Sequence, residues 1–445
     1  MTDLKAVDAD RVDALITELE SLLGASAVTT EDAALERASV DGSYLSPVIT
    51  RLLPLGRAQV VATPGSSDLI AQTVAAAVRH GVPITPRGKG TGNYGQGIPM
   101  AGGLVLDTSR ARKIIEVGDD YIEAEAGAVM WALEQTANKA GKQLWMYPST
   151  AQTTVGGFIA GGSGGTGSIA NGLLHQGFVK AVEVAHALPE LTTVWVEDDE
   201  VAPYLHNYGT AGIITKVRVA IEPLQPWRAF YASFDTFEQV VALIKPFAAL
   251  DPAPRLVSGD RTELARCLPA DLGIADGKAS LRAILDEATL AEATRLVEEA
   301  GGRVDDVREG ARHTVQLSMN SYNHPVEWLQ KSAPGKYFHV EVLGDALVDN
   351  LSGVEACYPD GMLHIEAQKA RPIGMLTGTY TSTADVLAGF DRLAALGVRT
   401  HNPHQWAVDF EPERTAALAA TTDPGGLLNP GKLGAVVSEY TGTQM

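Results

Sequence analysis

Cysteine is almost missing from this chain: Cys267 and Cys357 are the only two in 445 residues. Two cysteines exclude a disulfide framework and, at that spacing, a cysteine-based zinc or iron–sulfur centre. Positive charge is also scarce, with 35 Lys and Arg against 54 Asp and Glu and a net charge of −19. Nucleic acids and anionic membranes are held by clustered cations, so neither is an expected partner. No apolar run reaches the roughly eighteen residues of a membrane span. The opening stretch, MTDLKAVDADRVDALITELESLL, carries charges where a signal peptide needs apolar residues. The expected address is a reducing cytoplasm, and the oligomeric state is left open.

Glycine is abundant, 45 residues in all, and its densest runs fall in the first half. Residues 11–23 place Val12, Leu15, Ile16, Leu19 and Leu22 at helical spacing, so a helix packs one apolar face on the body. From residue 58 the pattern AQVVATPGSSDLIAQTVAAAVRHGVPITPRG reads as strand, capped helix, and a second strand near 82–85. This βαβ unit runs into PRGKGTGNYGQGIP, residues 86–99. The glycine spacing there fails the G-x-G-x-x-G test of a doubly wound dinucleotide fold. Its glycines nevertheless allow backbone N–H groups to converge on a pyrophosphate, with Arg87 and Lys89 adding charge. A second loop, PSTAQTTVGGFIAGGSGGTGSIANG at 148–172, adds glycines and hydroxyl donors. Two such loops about sixty residues apart suggest the two sides of one extended phosphate-bearing ligand.

These blocks, followed by YGTAGIIT at 208–215 and DPGGLLNPGKLG at 423–434, resemble in residues and order the FAD-binding oxidoreductases of the vanillyl-alcohol-oxidase type, also called the p-cresol methylhydroxylase superfamily. The resemblance covers about 58–222 and the last twenty-odd residues. It implies an α+β fold: a two-subdomain FAD-binding domain over 1–225, an α+β cap with an antiparallel sheet over 226–400, and a segment over 401–445 that returns to the FAD domain. It implies that Arg87, Gly88, Lys89, Gly90, Thr91, Gly92, Asn93 and Tyr94 wrap the FAD pyrophosphate. Pro148, Ser149, Thr150, Thr153, Gly156, Gly157, Gly161, Gly162, Ser163, Gly167 and Ser168 run beside the flavin and phosphates. Ile213 and Ile214 meet the adenosine end, and Asn429 and Lys432 return to the flavin. Relatives that attach flavin covalently carry a histidine where this chain has Thr91, so a dissociable FAD is expected. The H-x-G-D-G-N-x-H metal signature of related hydroxy-acid dehydrogenases is absent, and no metal is expected.

The second half is read from its residues. YFHVEVLG, GMLHIEAQKA and IGMLTGTYT are strand-like, and alternation puts His339 with Glu341 on one face and His364 with Glu366 and Gln368 on another. Those polar faces either look onto the flavin or face water. In HNPHQW, Pro403 disfavours the helix that a His401/His404 metal pair needs. A histidine near the flavin suits a general base. The catalytic candidates are therefore His404, His364, Glu366, His339 and Tyr94, with Tyr322, Asn323, His324 or Tyr380 orienting a substrate. The implied activity is hydride transfer from a small alcohol, hydroxy acid or phenol to FAD, which is reoxidised by oxygen or another acceptor. The alternatives are a flavin-binding electron-transfer subunit and a reductase using a nicotinamide cofactor.

Overall fold

The computed structural model describes residues 7–53 and 56–433. Three sheets organise it. In the first, Val28–Thr29, Val60–Ala62, Leu104–Asp107 and Ile84–Arg87 lie side by side in that order, the last three parallel. Parallel strands need helical crossovers, here Ser67–His80, which starts on the Ser66 hydroxyl (3.3 Å to the Leu69 N–H) and stops at Gly81 in the left-handed region, φ 65°. The helix Ala9–Leu23 buries Val12, Leu15 and Leu19 against the same layer. The second strand of the βαβ unit is Ile84–Arg87, two residues later than the expected 82–85, and it ends at the first glycine loop.

The second sheet is antiparallel, in the order Ile114–Val117, Tyr121–Glu125, Ile213–Pro223, Val179–Ala185, Thr193–Glu197, with Lys142–Leu144 beside the far end of the long strand. The helix Val155–Gly161 packs on it and is capped by the Thr154 hydroxyl, 3.2 Å from the Gly157 N–H. This cap fixes where the second glycine loop turns into helix.

The third sheet has eight antiparallel strands in the order Arg303–Glu309, Trp227–Phe234, Ala279–Asp286, Leu256–Asp260, Met362–Glu366, Ile373–Thr379, Tyr337–Leu343, Arg399–His401. Alternation along each strand gives it two chemically different faces. Phe230, Ala232, Leu281, Ala283, Phe338, Val340, Ile365 and Leu376 form one apolar core with the helices Phe237–Ala248 and Thr383–Ala395. The opposite face carries an apolar patch of Trp227, Ala229, Tyr231, Leu256 and Ile284 and, beside it, a largely polar row. Register aligns Ser280, Asp260, His364, Met375, Glu341 and His401 in one row across six strands. Residues beyond the sheet return to the first one, where the Ile84 N–H donates to the Leu427 carbonyl at 2.8 Å and the Asn429 N–H to the Ile84 carbonyl at 2.7 Å. The two layers are clamped by Arg255, which donates to Glu134 and to the Leu144 carbonyl, each at 2.7 Å, with both charged side chains buried. Among the described residues no helix is long and apolar enough to cross a membrane.

Candidate active site

The first glycine loop leaves its own backbone unsatisfied. Among the described residues, none of the six consecutive N–H groups from Gly88 to Asn93 donates to an acceptor in the protein. A run of orphan donors is costly unless an anion or water accepts it. Two of the glycines are favoured by their surroundings, Gly88 by a close approach and Gly90 by a left-handed backbone. A Cβ on Gly88 would lie 2.1 Å from the Thr154 hydroxyl, where the two loops meet. One on Gly90, already at φ 64°, would lie 2.0 Å from the Arg87 guanidinium. Arg87 has no carboxylate within salt-bridge distance among the described residues, and burial holds its pKa below the usual arginine value. A diphosphate fits this cradle: donors, two cations, and room that side chains would fill.

The loop opens into a cleft of about 350 Å³ between the first two sheets and the polar face of the third. Its walls include residues 86–94, Pro148, Ser149, Thr150, Thr153, Gly156, Gly157, Gly161, Gly162, Ser163, Ile213 and Ile214. Four other residues expected to touch FAD lie outside it. Gly167, at φ 111°, makes a turn in which a Cβ would lie 1.9 Å from the Trp145 carbonyl. The Ser168 hydroxyl is used by the Gly165 N–H at 2.9 Å. Asn429 donates to the carbonyls of Gln96 (3.0 Å) and Tyr208 (2.9 Å). Lys432 is buried and donates to the Gly95 carbonyl, and burial pulls its ammonium down to about 7 against the opposing effect of Asp41. These groups are consumed in holding the loops.

The roof of the cleft is the open end of the third sheet's polar row. Glu341 and His401 sit on neighbouring strands, with the His401 Nδ1 2.8 Å from Glu341 and its Nε2 2.6 Å from Asp409. Burial opposes the imidazolium, but these two carboxylates outweigh it and hold His401 up to about 10. The same cation, against burial, holds Glu341 down to about 2. The Tyr94 hydroxyl donates to Glu341 at 2.7 Å and accepts from the Asn323 side chain at 3.1 Å, while burial and Glu341 push its pKa well up. Continuing the line, His206 lies 3.7 Å from Asp409 and 3.3 Å from the Tyr208 hydroxyl. His206, Tyr208 and Tyr322, all lining the cleft, adopt left-handed backbone (φ 50°, 56° and 53°) that non-glycine residues rarely hold.

Four of the five catalytic candidates are not in the cleft wall. His364 and Glu366 belong to the covered half of the polar row and face neither the cleft nor water. Residues 311–332 lie over them, with the Tyr322 N–H donating to Glu366 at 2.8 Å and Arg282 to the Asn320 carbonyl at 2.9 Å. His364 is wedged between Asp260 (2.8 Å) and Glu366 (2.9 Å), and Arg282 completes the buried cluster through Asp260. Burial opposes the charge on His364, but Asp260 dominates and raises it to about 9. His339 is buried under the helix His324–Ser332, 3.2 Å from Gln330. His404 bonds Ser46 at 2.7 Å, and burial, aided by His339, lowers it to about 3. Tyr94 alone of the five lines the cleft.

The sequence reading missed His401 as anything but a weak metal ligand, and missed His206, Asp409 and Glu327 altogether. His206 stands two residues before the YGTAGIIT block, which was a usable signal. His401 and Asp409 meet Glu341 only through strand pairing and chain return, which no local pattern reveals. His324, noted as an orienting residue, lies 3.0 Å from the Thr150 hydroxyl, and burial keeps its pKa below the ordinary value. Among the described residues no cluster suited to a metal ion occurs.

Three comparisons place the chain among known proteins. The family profile of an FAD binding domain matches residues 58–194. An uncharacterised FAD-linked oxidoreductase of Mycobacterium tuberculosis is 27% identical over 228 residues, 48% of this chain and 50% of that protein. A D-lactate dehydrogenase of Archaeoglobus fulgidus is 23% identical over 258 residues, 55% of this chain and 58% of that one. The chain thus spans only about half the length of the curated relatives it matches. The solved structure of p-cresol methylhydroxylase with substrate bound superposes with a TM-score of 0.68 at 16% identity, covering 96% of this chain and 97% of that one. Residues 58–194 thus match an FAD binding domain, and the chain has the fold of p-cresol methylhydroxylase.

Proposed function

We propose that the protein is an FAD-dependent oxidoreductase that takes a hydride from a small substrate at a carbon bearing a hydroxyl group. The observation that carries this reading is the convergence, in one cleft, of the acceptor-free N–H run with the Tyr94, Asn323, Glu341 and His401 constellation. The D-lactate dehydrogenase relative belongs by name to the same broad class. FAD, when bound, supplies the two-electron acceptor and passes the electrons on to oxygen or another acceptor.

This chain's residues supply the rest. The N–H groups of residues 88–93 with Arg87 and Lys89 hold the diphosphate, the second loop flanks the flavin, and Ile213 and Ile214 meet the adenosine. Thr91 donates its hydroxyl to Thr153 at 3.0 Å and offers no nucleophile for covalent attachment, so the flavin is held by hydrogen bonds and burial. The Tyr94 hydroxyl stays protonated, committed as donor to Glu341, and its free lone pair receives the substrate hydroxyl. His324, whose pKa burial holds below the ordinary value, takes that hydroxyl's proton by way of the Thr150 hydroxyl, which lies 3.0 Å from its Nε2. Residues 1–225 with 401–445 hold the cofactor and residues 226–400 the substrate. The acidic surface and two unpaired cysteines support a cytoplasmic address.

The test is the visible spectrum of purified protein supplied with FAD, repeated after acid precipitation, followed by anaerobic bleaching with a panel of alcohols. Flavin colour is expected to move to the supernatant, and His324→Gln is expected to keep its flavin while bleaching about a hundredfold more slowly. Failure to bind FAD refutes the cofactor assignment, colour left in the pellet refutes non-covalent binding, and unimpaired bleaching removes His324 as the base.

A further inference from the structure

The balance of charge at the substrate end of the cleft narrows the substrate class, an inference that rests on the reading of the cleft as a flavin and substrate site. Burying a carboxylate requires a cation or a set of donors to replace its water. Among the described residues, no Lys or Arg of the third-sheet layer lines the cleft. Lys331 lines an adjoining cavity instead, and its ammonium is 3.5 Å from Glu327. Arg87 and Lys89 belong to the loop with the orphan N–H groups. His401 is cationic, yet both its ring nitrogens are taken by Glu341 and Asp409. From the third-sheet layer two carboxylates, Glu341 and Glu327, line the cleft, whereas Asp41 lines it on the side of the first glycine loop; Glu327 accepts from the Asn93 side chain at 2.5 Å. The remaining wall there is apolar or neutral, with Met375 and Ile373 beside Gln368 and Asn323.

We infer that this end of the cleft admits an uncharged or cationic molecule bearing a hydroxyl or amino group and excludes carboxylates. Glu341 and Glu327 together set the selectivity, since both line the cleft, and Glu341 also holds Tyr94 in place.

The experiment compares three molecules that share one CH(OH)CH3 centre and differ in charge: D-lactate, D-lactamide and (R)-1-amino-2-propanol. FAD content is measured first, so loss of the cofactor assignment is recognised separately from loss of charge selectivity. Each compound is then titrated into FAD-loaded protein at constant ionic strength, with the perturbation of the flavin spectrum giving a dissociation constant independent of turnover. Lactamide or aminopropanol is expected to bind at least about tenfold more tightly than lactate, and Glu341→Gln to close most of that gap by strengthening lactate binding. Should Glu341→Gln not fold, Glu327→Gln carries the same comparison. Lactate binding as tightly as the other two, no perturbation by any of the three, or a gap unchanged in the variant that folds overturns the inference.

Discussion

Replacing His401 by Gln removes the one cation in the Glu341–His401–Asp409 line and tests whether that line is charged as its geometry implies. The imidazole's pKa is about 10 in the fold against an ordinary 6.5. Because the folded value is the higher one, the folded state holds this proton more tightly. The stability it contributes is therefore complete below pH 6.5 and is lost as pH rises towards 10. At 1.36 kcal/mol per pH unit, the interval caps the contribution at ~5 kcal/mol. The depressed value of Glu341 reports the same attraction from the other partner, so it is not added. His401 is only 19% exposed, so solvent screening removes little of this. At pH 7, His401→Gln leaves Glu341 and Asp409 without their cation and is expected to cost about 3–5 kcal/mol. Urea unfolding of wild type and variant between pH 6.5 and 9.5 measures both quantities. Other groups titrate in this interval, including His364 at about 9 and Lys432 at about 7, but they are common to both proteins, so the difference isolates His401. Wild type should lose several kcal/mol more than the variant across that range. Parallel pH dependences would refute the ion-pair assignment.

Gly90→Ala puts a side chain at φ 64° against the Arg87 guanidinium. With about 1–2 kcal/mol for the left-handed backbone alone, FAD affinity should fall about tenfold or more in a flavin-fluorescence titration, and an unchanged Kd would detach the loop from the cofactor. Arg255→Met strands the buried Glu134 carboxylate. It should lower unfolding free energy by about 3–5 kcal/mol, with Glu134→Met in the same chain recovering much of the loss, a rescue visible in denaturant midpoints.

The cradle was legible in the sequence because its function is local. Consecutive glycines and orphan N–H groups belong to one loop, and the strand that delivers them is announced by its own apolar run and by a capped helix. The two glycine-rich loops, the helix Ala9–Leu23 and the two-faced strands of the second half were all readable for the same reason: each depends on neighbours within a few residues. Alternation also placed His339 with Glu341, and His364 with Glu366, on one side of their strands.

What alternation cannot tell is what covers that side. The polar row of the third sheet is one continuous surface in register, yet residues 311–332 seal one half of it and leave the other half open. That packing turns His364 and Glu366 into a buried charge cluster and makes Glu341 and His401 cleft residues. His404, the most tempting histidine in the sequence, is buried beside Ser46 and Phe338 instead. The sequence by itself determined the glycine loop and the two-faced sheet, since backbone conformation and strand period are short-range properties. Only the tertiary structure decided which polar side chains meet the cleft, because strand order, register and the covering segment join residues hundreds of positions apart.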